Sequence, residues 1–141
     1  MTIKEQQDAI IEEFSFFTDW TEKYEHIIQM GKDLPLIDAR YKTEENLIKG
    51  CQSRVWLHAD YIDGKIYFTA DSDAVITKGL ISMVVRVLSG QSPKDIADAQ
   101  IYFIDEIGLK SHLSITRSNG LLSMLKQMKM YGVAFQAKER S

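Results

Sequence analysis

Cysteine is almost absent from this chain. Cys51 is the single cysteine in 141 residues, which excludes an internal disulfide and fits a reducing, cytoplasmic compartment. Histidine is nearly as scarce, with His26, His58 and His112 scattered along the sequence. Structural zinc sites draw four Cys or His ligands at close spacing, and a cluster held by one chain draws several thiolates. No resident metal or cofactor is therefore expected. The Gly-x-Gly-x-x-Gly and Walker patterns that cradle phosphates are missing. So is any block of one charge: 17 basic against 20 acidic residues give a net charge of -3, unlike the concentrated basic face of a nucleic-acid binder. The longest apolar stretch, Ala74 to Leu88, is interrupted by Thr77, Lys78, Ser82 and Arg86 and is too short to span a bilayer. The first eight residues, Met-Thr-Ile-Lys-Glu-Gln-Gln-Asp, carry neither an apolar leader nor an Arg-rich transit pattern. Neither nucleic acid nor membrane is expected as a partner.

What is present suits one domain over residues 1–141, with 45% hydrophobic and 26% charged residues. Thr2 with Glu5 forms a capping box before the helical spacing of Ile3, Ala9-Ile10, Phe14 and Phe17. Thr18 or Asp19, with Glu22 in reach, starts a second helix that ends at Gly31, and Pro35 prevents its continuation. Residues 32–45 read as a polar connection. Val55, Leu57, Ala59 and Tyr61 then alternate with polar positions up to Asp63-Gly64, a strong two-residue hairpin signal. The return strand from Lys65 to Ala70 pairs Ile62 with Lys65, Tyr61 with Ile66, Ala59 with Phe68 and Leu57 with Ala70, so that all the apolar partners share one face. Asn46 to Ile48 is a candidate third strand. Asp71, Ser72 and Asp73 offer three caps for an all-round apolar helix over 74–89. Gly79 inside that helix costs roughly 1 kcal/mol against alanine, which points to the close approach of another backbone. Ser92-Pro93 starts one short helix, and Ile101, Phe103-Ile104 and Ile107 mark another. Ser114 caps the last, which runs to about Lys138 with Leu121-Leu122, Met124-Leu125, Met128, Tyr131-Gly132 and Phe135 as its buried stripe. The expected class is α+β: a small antiparallel sheet with helices packed on one side.

The lone cysteine sits in Gly50-Cys51-Gln52-Ser53, a polar, turn-like setting, whereas a free cysteine kept for packing behaves as a small hydrophobe. A Cys-His hydrolase needs a base within hydrogen-bond reach of the sulfur, and His58 lies seven residues along, roughly 23 Å away on an extended path. Lys49 and the amides of a glycine turn lower a thiol pKa modestly, and thiol exchange requires only access and some thiolate. Two readings remain on these grounds: an accessible thiol without a resident base, suited to a carrier or acceptor, and a reduced cysteine that fills space.

Gly50-Cys51-Gln52-Ser53-Arg54-Val55-Trp56 resembles the signature loop of the SufE family of sulfur acceptors. Ala70-Asp71-Ser72-Asp73-Ala74-Val75-Ile76-Thr77-Lys78-Gly79-Leu80-Ile81 and Leu113-Ser114-Ile115-Thr116-Arg117-Ser118-Asn119-Gly120-Leu121 resemble two further motifs of that family, and the three occur in the family's order. The resemblance implies a fold similar to that of SufE and the IscU-type scaffolds. It also implies work with a PLP-bearing, SufS-like cysteine desulfurase in iron–sulfur cluster assembly. By resemblance Cys51 takes the desulfurase's persulfide sulfur and relays it to a SufBCD-like scaffold complex. Gly50, Gln52, Ser53, Asp71, Ser72, Asp73 and Arg117 then form the partner-binding or persulfide environment, in a monomer or weak homodimer. A contact-only regulatory subunit of the desulfurase is the alternative. Ile115 departs from the family pattern, where proline is common after the serine. Arg117 falls in the first turn of the last helix, where a cation opposes the helix dipole; Asp71, Asp73 or an acidic partner surface would offset that.

Overall fold

Asp63 and Gly64 take left-handed backbone angles, φ 51° and 79°, as a tight two-residue turn requires, and that turn sets the hairpin. In this computed structural model, which describes residues 1–50 and 53–140, β1 (Val55–Ile62) pairs antiparallel with β2 (Lys65–Ser72). The register runs from Ile62 opposite Lys65 to Val55 opposite Ser72, which contains every pair read from the turn. Leu57, Ile66, Phe68 and Ala70 are buried together. Asn46 to Ile48 does not form a third strand. Leu47 makes a single bridge to Trp56, and Ile48 N–H donates to Val55 O at 2.8 Å, because the preceding Glu44–Asn46 segment is wound into a 3₁₀ turn. The outer edge of β2 is blunted in the same way: Ala70 exchanges backbone hydrogen bonds with Pro35 and Ile37, and Ile66 with Gly90 and Gln91.

Helices cover one face of this sheet. The Thr2–Glu5 capping box starts α1 (Ile3–Ser15), and Asp19 accepts from Glu22 N–H to start α2 (Trp20–Gly31). The apolar helix α3 (Val75–Leu88) is central, with residues buried on nearly every side. Its N-cap is Ala74, with no side-chain cap, so the reading of Asp71, Ser72 and Asp73 as alternative caps is corrected. Ser72 belongs to β2, and the two carboxylates are occupied elsewhere, as described below. α3 crosses α2 at two glycines. A Cβ on Gly79 would stand 2.1 Å from Ile27 O, and one on Gly31 3.0 Å from Gly79 N. Ser82 fastens the crossing by donating to Met30 O at 2.7 Å, and Glu13 of α1 holds Arg86 of α3 through two hydrogen bonds at 3.1 and 2.8 Å.

Ser92 caps α4 (Pro93–Ala97), α5 (Phe103–Glu106) follows, and Ser114 caps α6 (Ile115–Glu139). Gln7, 1% exposed, latches the connection between α4 and α5 to α1. Its side chain donates to Gln100 O at 3.1 Å and accepts from the amides of Tyr102 and Phe103 at 2.9 and 3.3 Å. Along α6, Leu121, Met124, Leu125 and Met128 are buried, and Tyr131 and Phe135 meet Phe68 and Tyr61 of the sheet edge-on. Leu122 departs from the expected stripe, being 56% exposed. It is one step around the helix from Leu121, about 100° at 3.6 residues per turn, and falls on the outward side.

Candidate functional site

Residues 49–54 leave and rejoin the sheet at one point, because Ile48 N–H donates to Val55 O. That closes the base of the loop. Its far end is tied to the start of α3: Arg54 N–H donates to Asp73 Oδ1 at 3.1 Å, and Asp73 N–H donates to Arg54 O at 3.3 Å. Its near end turns at Gly50, φ 89°, where any Cβ would lie 2.9 Å from Ser123 Oγ on α6. The left-handed angle favours glycine there, while the Ser123 hydroxyl, at the end of a side chain, can turn aside. Cys51 and Gln52, two of the sequence-derived site residues, lie outside the described residues. Of the others, Gly50, Ser53, Asp71, Ser72 and Asp73 gather around this loop and the adjoining end of the hairpin.

Asp71, opposite Trp56 in the register, is a hub. Its side chain is 13% exposed and pairs with Lys42 Nζ at 2.5 Å and Lys78 Nζ at 3.4 Å, and Oδ1 accepts from Ser72 N–H at 2.8 Å. Burial pushes the carboxyl pKa up, but the Lys42 hydrogen bond, the Ser72 amide and the Lys78 charge together outweigh it and hold the group below its ordinary value. Lys42 also lies over the Trp56 ring, 5.2 Å from its centroid, and the neighbouring Tyr41 stacks on His58 at 3.8 Å. The polar connector thus covers the outer face of the hairpin at the cysteine end. A carboxylate with a lowered folded pKa contributes stability that is complete above its unfolded pKa, near about 3.9, and that is lost as pH falls through the lower folded value. Asp71→Asn leaves the two ammoniums unpaired at neutral pH. Urea unfolding at pH 7 is expected to show a loss of roughly 1–3 kcal/mol that shrinks toward pH 3; an equal loss at both pH values would contradict this role.

Sequence reading found Asp71 and missed Lys42, since a lysine in a polar connector carries no periodic or spacing signal. It also left Lys78 without a role, and the ion pair to Asp71 supplies one. Ser72 Oγ accepts from Ala74 N–H at 3.3 Å, turning the chain into α3. Arg117 N–H donates to the Ser114 cap at 3.2 Å, and its exposed side chain has no ion pair among the described residues. Asp71 and Asp73 therefore do not offset its charge. It stands six residues, about 9 Å along the axis, before Ser123. The three histidines each have a ring or carboxylate neighbour of their own: His26 beside Glu13, His58 beside Asp60, and His112 stacked on Trp20. A cleft of about 440 Å³ opens between residues 45–49 and α6, lined by Lys49, Ser123, Lys126, Gln127 and Met130 among others.

Residues 8–132 match the SufE family model, described as an Fe-S metabolism associated domain. The chain belongs to the SufE family. This SufE chain is 41% identical over 128 residues to an uncharacterized SufE-like protein of Rhizobium meliloti, covering 86% of this chain and 91% of that one. It is 35% identical over 127 residues to an uncharacterized SufE-like protein of Synechocystis, covering 90% and 80%. SufE-like protein 1 of Arabidopsis thaliana, chloroplastic/mitochondrial, is 39% identical over 117 residues, which are 82% of this chain and 32% of that longer protein. In fold, this SufE chain is similar to the solution structure of a hypothetical protein from Thermus thermophilus, with a TM-score of 0.76, 18% identity, and 92% and 94% of the two chains covered. Membership associates the chain with iron–sulfur metabolism.

Proposed function

We propose that Cys51 is a sulfur acceptor for a PLP-dependent cysteine desulfurase and that the chain stimulates that enzyme by unloading it. The Cys51 thiolate attacks the terminal sulfur of the donor's cysteine persulfide. The donor S–S bond breaks, the donor cysteine leaves as a thiolate, and Cys51 carries the new S–S bond with no net oxidation or reduction. The persulfide then passes its sulfur by the same exchange to an iron–sulfur scaffold complex in the cytoplasm. One observation carries most of the weight: the residues flanking Cys51 lie beside the elements that carry the two other family motifs, Arg54 hydrogen-bonded to Asp73 just before α3 and Gly50 passing close to Ser123 of α6. Flanks held in the fold suit the chain to docking, and exchange within a docked pair is favoured over random encounter.

The surrounding charge supports the same reading. Lys49 and Arg54 flank Cys51 closely in sequence, Lys126 of α6 lines the cleft beside Lys49, and cations favour thiolate over thiol. Arg117, without an ion pair among the described residues, suits a carboxylate of the docked partner, which would also remove its conflict with the helix dipole. Desulfurase turnover, followed as alanine released from cysteine, is the direct test of stimulation. Addition of this chain is expected to raise the turnover, and an unchanged rate across a saturating range of the chain would contradict the reading.

A further inference from the structure

Leu122, Met130 and Val133 point outward from α6, with 56%, 55% and 58% of their surfaces exposed. Lys126 and Lys129 stand between them, and neither has an ion pair among the described residues. The spacing, i, i+4, i+7, i+8 and i+11, makes one continuous stripe about 16 Å long. Ile101 and Ile104 face it across a groove of about 430 Å³ whose lining includes the buried Leu125 and one carboxylate, Asp105, which has an interaction of its own. Lys126 and Met130 also line the cleft beside the cysteine loop, so the groove and the cleft adjoin.

A concave apolar trough three helical turns long fits an amphipathic helix laid into it; a bilayer surface fits a convex face. Seating such a helix desolvates the two ammoniums, and cations left unpaired at an interface are costly. Carboxylates on the incoming helix satisfy them, while a basic segment is repelled. The chain as a whole is acidic, with a net charge of -3, so this cationic stripe is a local feature. A second copy of the chain in a two-fold pairing would set the same lysine-bearing stripe against itself.

We propose that this groove receives an amphipathic, carboxylate-bearing helix of the sulfur-donating partner, and that docking there aligns the donor with the Cys51 loop. The inference rests on the sulfur-acceptor reading. Its test is the affinity of the full chain for the desulfurase by titration calorimetry, with Cys51→Ser in every version of the chain so that sulfur chemistry does not enter. Lys126→Glu/Lys129→Glu and Leu122→Asp/Val133→Asp are each expected to weaken binding at least about tenfold. The lysine variant is also expected to lose most of the salt dependence of the parent, with thermal melting unchanged because all four positions lie on the surface stripe. Unchanged affinity in both variants overturns the groove while leaving the acceptor reading intact, since sulfur uptake by the native chain is measured separately. No binding by the Cys51→Ser parent overturns both. Two further controls also decide against it: a dimer dissociated by the leucine–valine variant would make a second copy the occupant, and lysine-dependent sedimentation with phosphatidylcholine–phosphatidylglycerol vesicles, at unchanged desulfurase affinity, would make it a lipid surface.

Discussion

Cys51→Ser is expected to abolish the rise in desulfurase turnover while leaving the complex intact. A serine hydroxyl is not ionised near neutral pH and does not exchange with a disulfide or persulfide sulfur, whereas a thiol, through its thiolate, does. The substitution changes a single heavy atom in a loop whose flank is held by another pair, Arg54 with Asp73. Affinity for the desulfurase is therefore expected to stay within about threefold, below about 0.7 kcal/mol. Stimulation at saturating concentration falls to that of buffer. A contact-only activator behaves in the opposite way, keeping its stimulation with serine in place, so the two readings separate in one titration. Lost stimulation together with lost binding would point to a structural role for the cysteine and contradict both.

The largest effect on stability is expected at Gly79. In an open helix Gly→Ala stabilises by about 1 kcal/mol through propensity. At Gly79 the new methyl would stand 2.1 Å from the carbonyl oxygen of Ile27, a backbone atom that cannot swing aside. Helices α2 and α3 must separate, loosening a crossing that also includes the Ser82 hydrogen bond to Met30 O and the buried Ile27, Met30 and Met83. Overpacking of this kind costs about 3 kcal/mol, so Gly79→Ala is expected to lower the urea midpoint strongly. Gly31→Ala, with its nearest contact at 3.0 Å, is expected to cost less. A Gly79→Ala protein as stable as the parent would mean that the helices do not cross at that distance.

Much of this architecture is legible from residues alone, for reasons visible at particular positions. The hairpin is legible because Asp63-Gly64 sets the register and a shift of one residue would turn Ile66, Phe68 and Ala70 outward. The starts of α1, α2, α4 and α6 are legible because Thr2, Asp19, Ser92 and Ser114 each accept a hydrogen bond from the third amide of their helix. The start of α3 misleads, since Asp71, Ser72 and Asp73 all have cap chemistry but the strand continues through Ser72 and their side chains bind Lys42, Ala74 and Arg54. The partners of the two aspartates lie 29 and 19 residues away, beyond any local rule. Leu122 misleads for a related reason: adjacent apolar residues can both be buried, as Met124 and Leu125 are, or only one of them, as Leu121 is beside Leu122, and only the tertiary packing of α6 decides. The meeting of the cysteine loop with the second motif and with α6 needs the hydrogen bond of Arg54 to Asp73 and the approach of Gly50 to Ser123, neither of which has a spacing signature.

The central claim concerns one sulfur atom. Mass spectrometry of the chain after incubation with a PLP-dependent cysteine desulfurase and cysteine, followed by digestion without reductant, measures it directly. The account predicts an added mass of about 32 Da, one sulfur, on the peptide containing Cys51, removed by a reducing thiol. An intact Cys51 peptide with no added mass, from a desulfurase that is turning over, would contradict it.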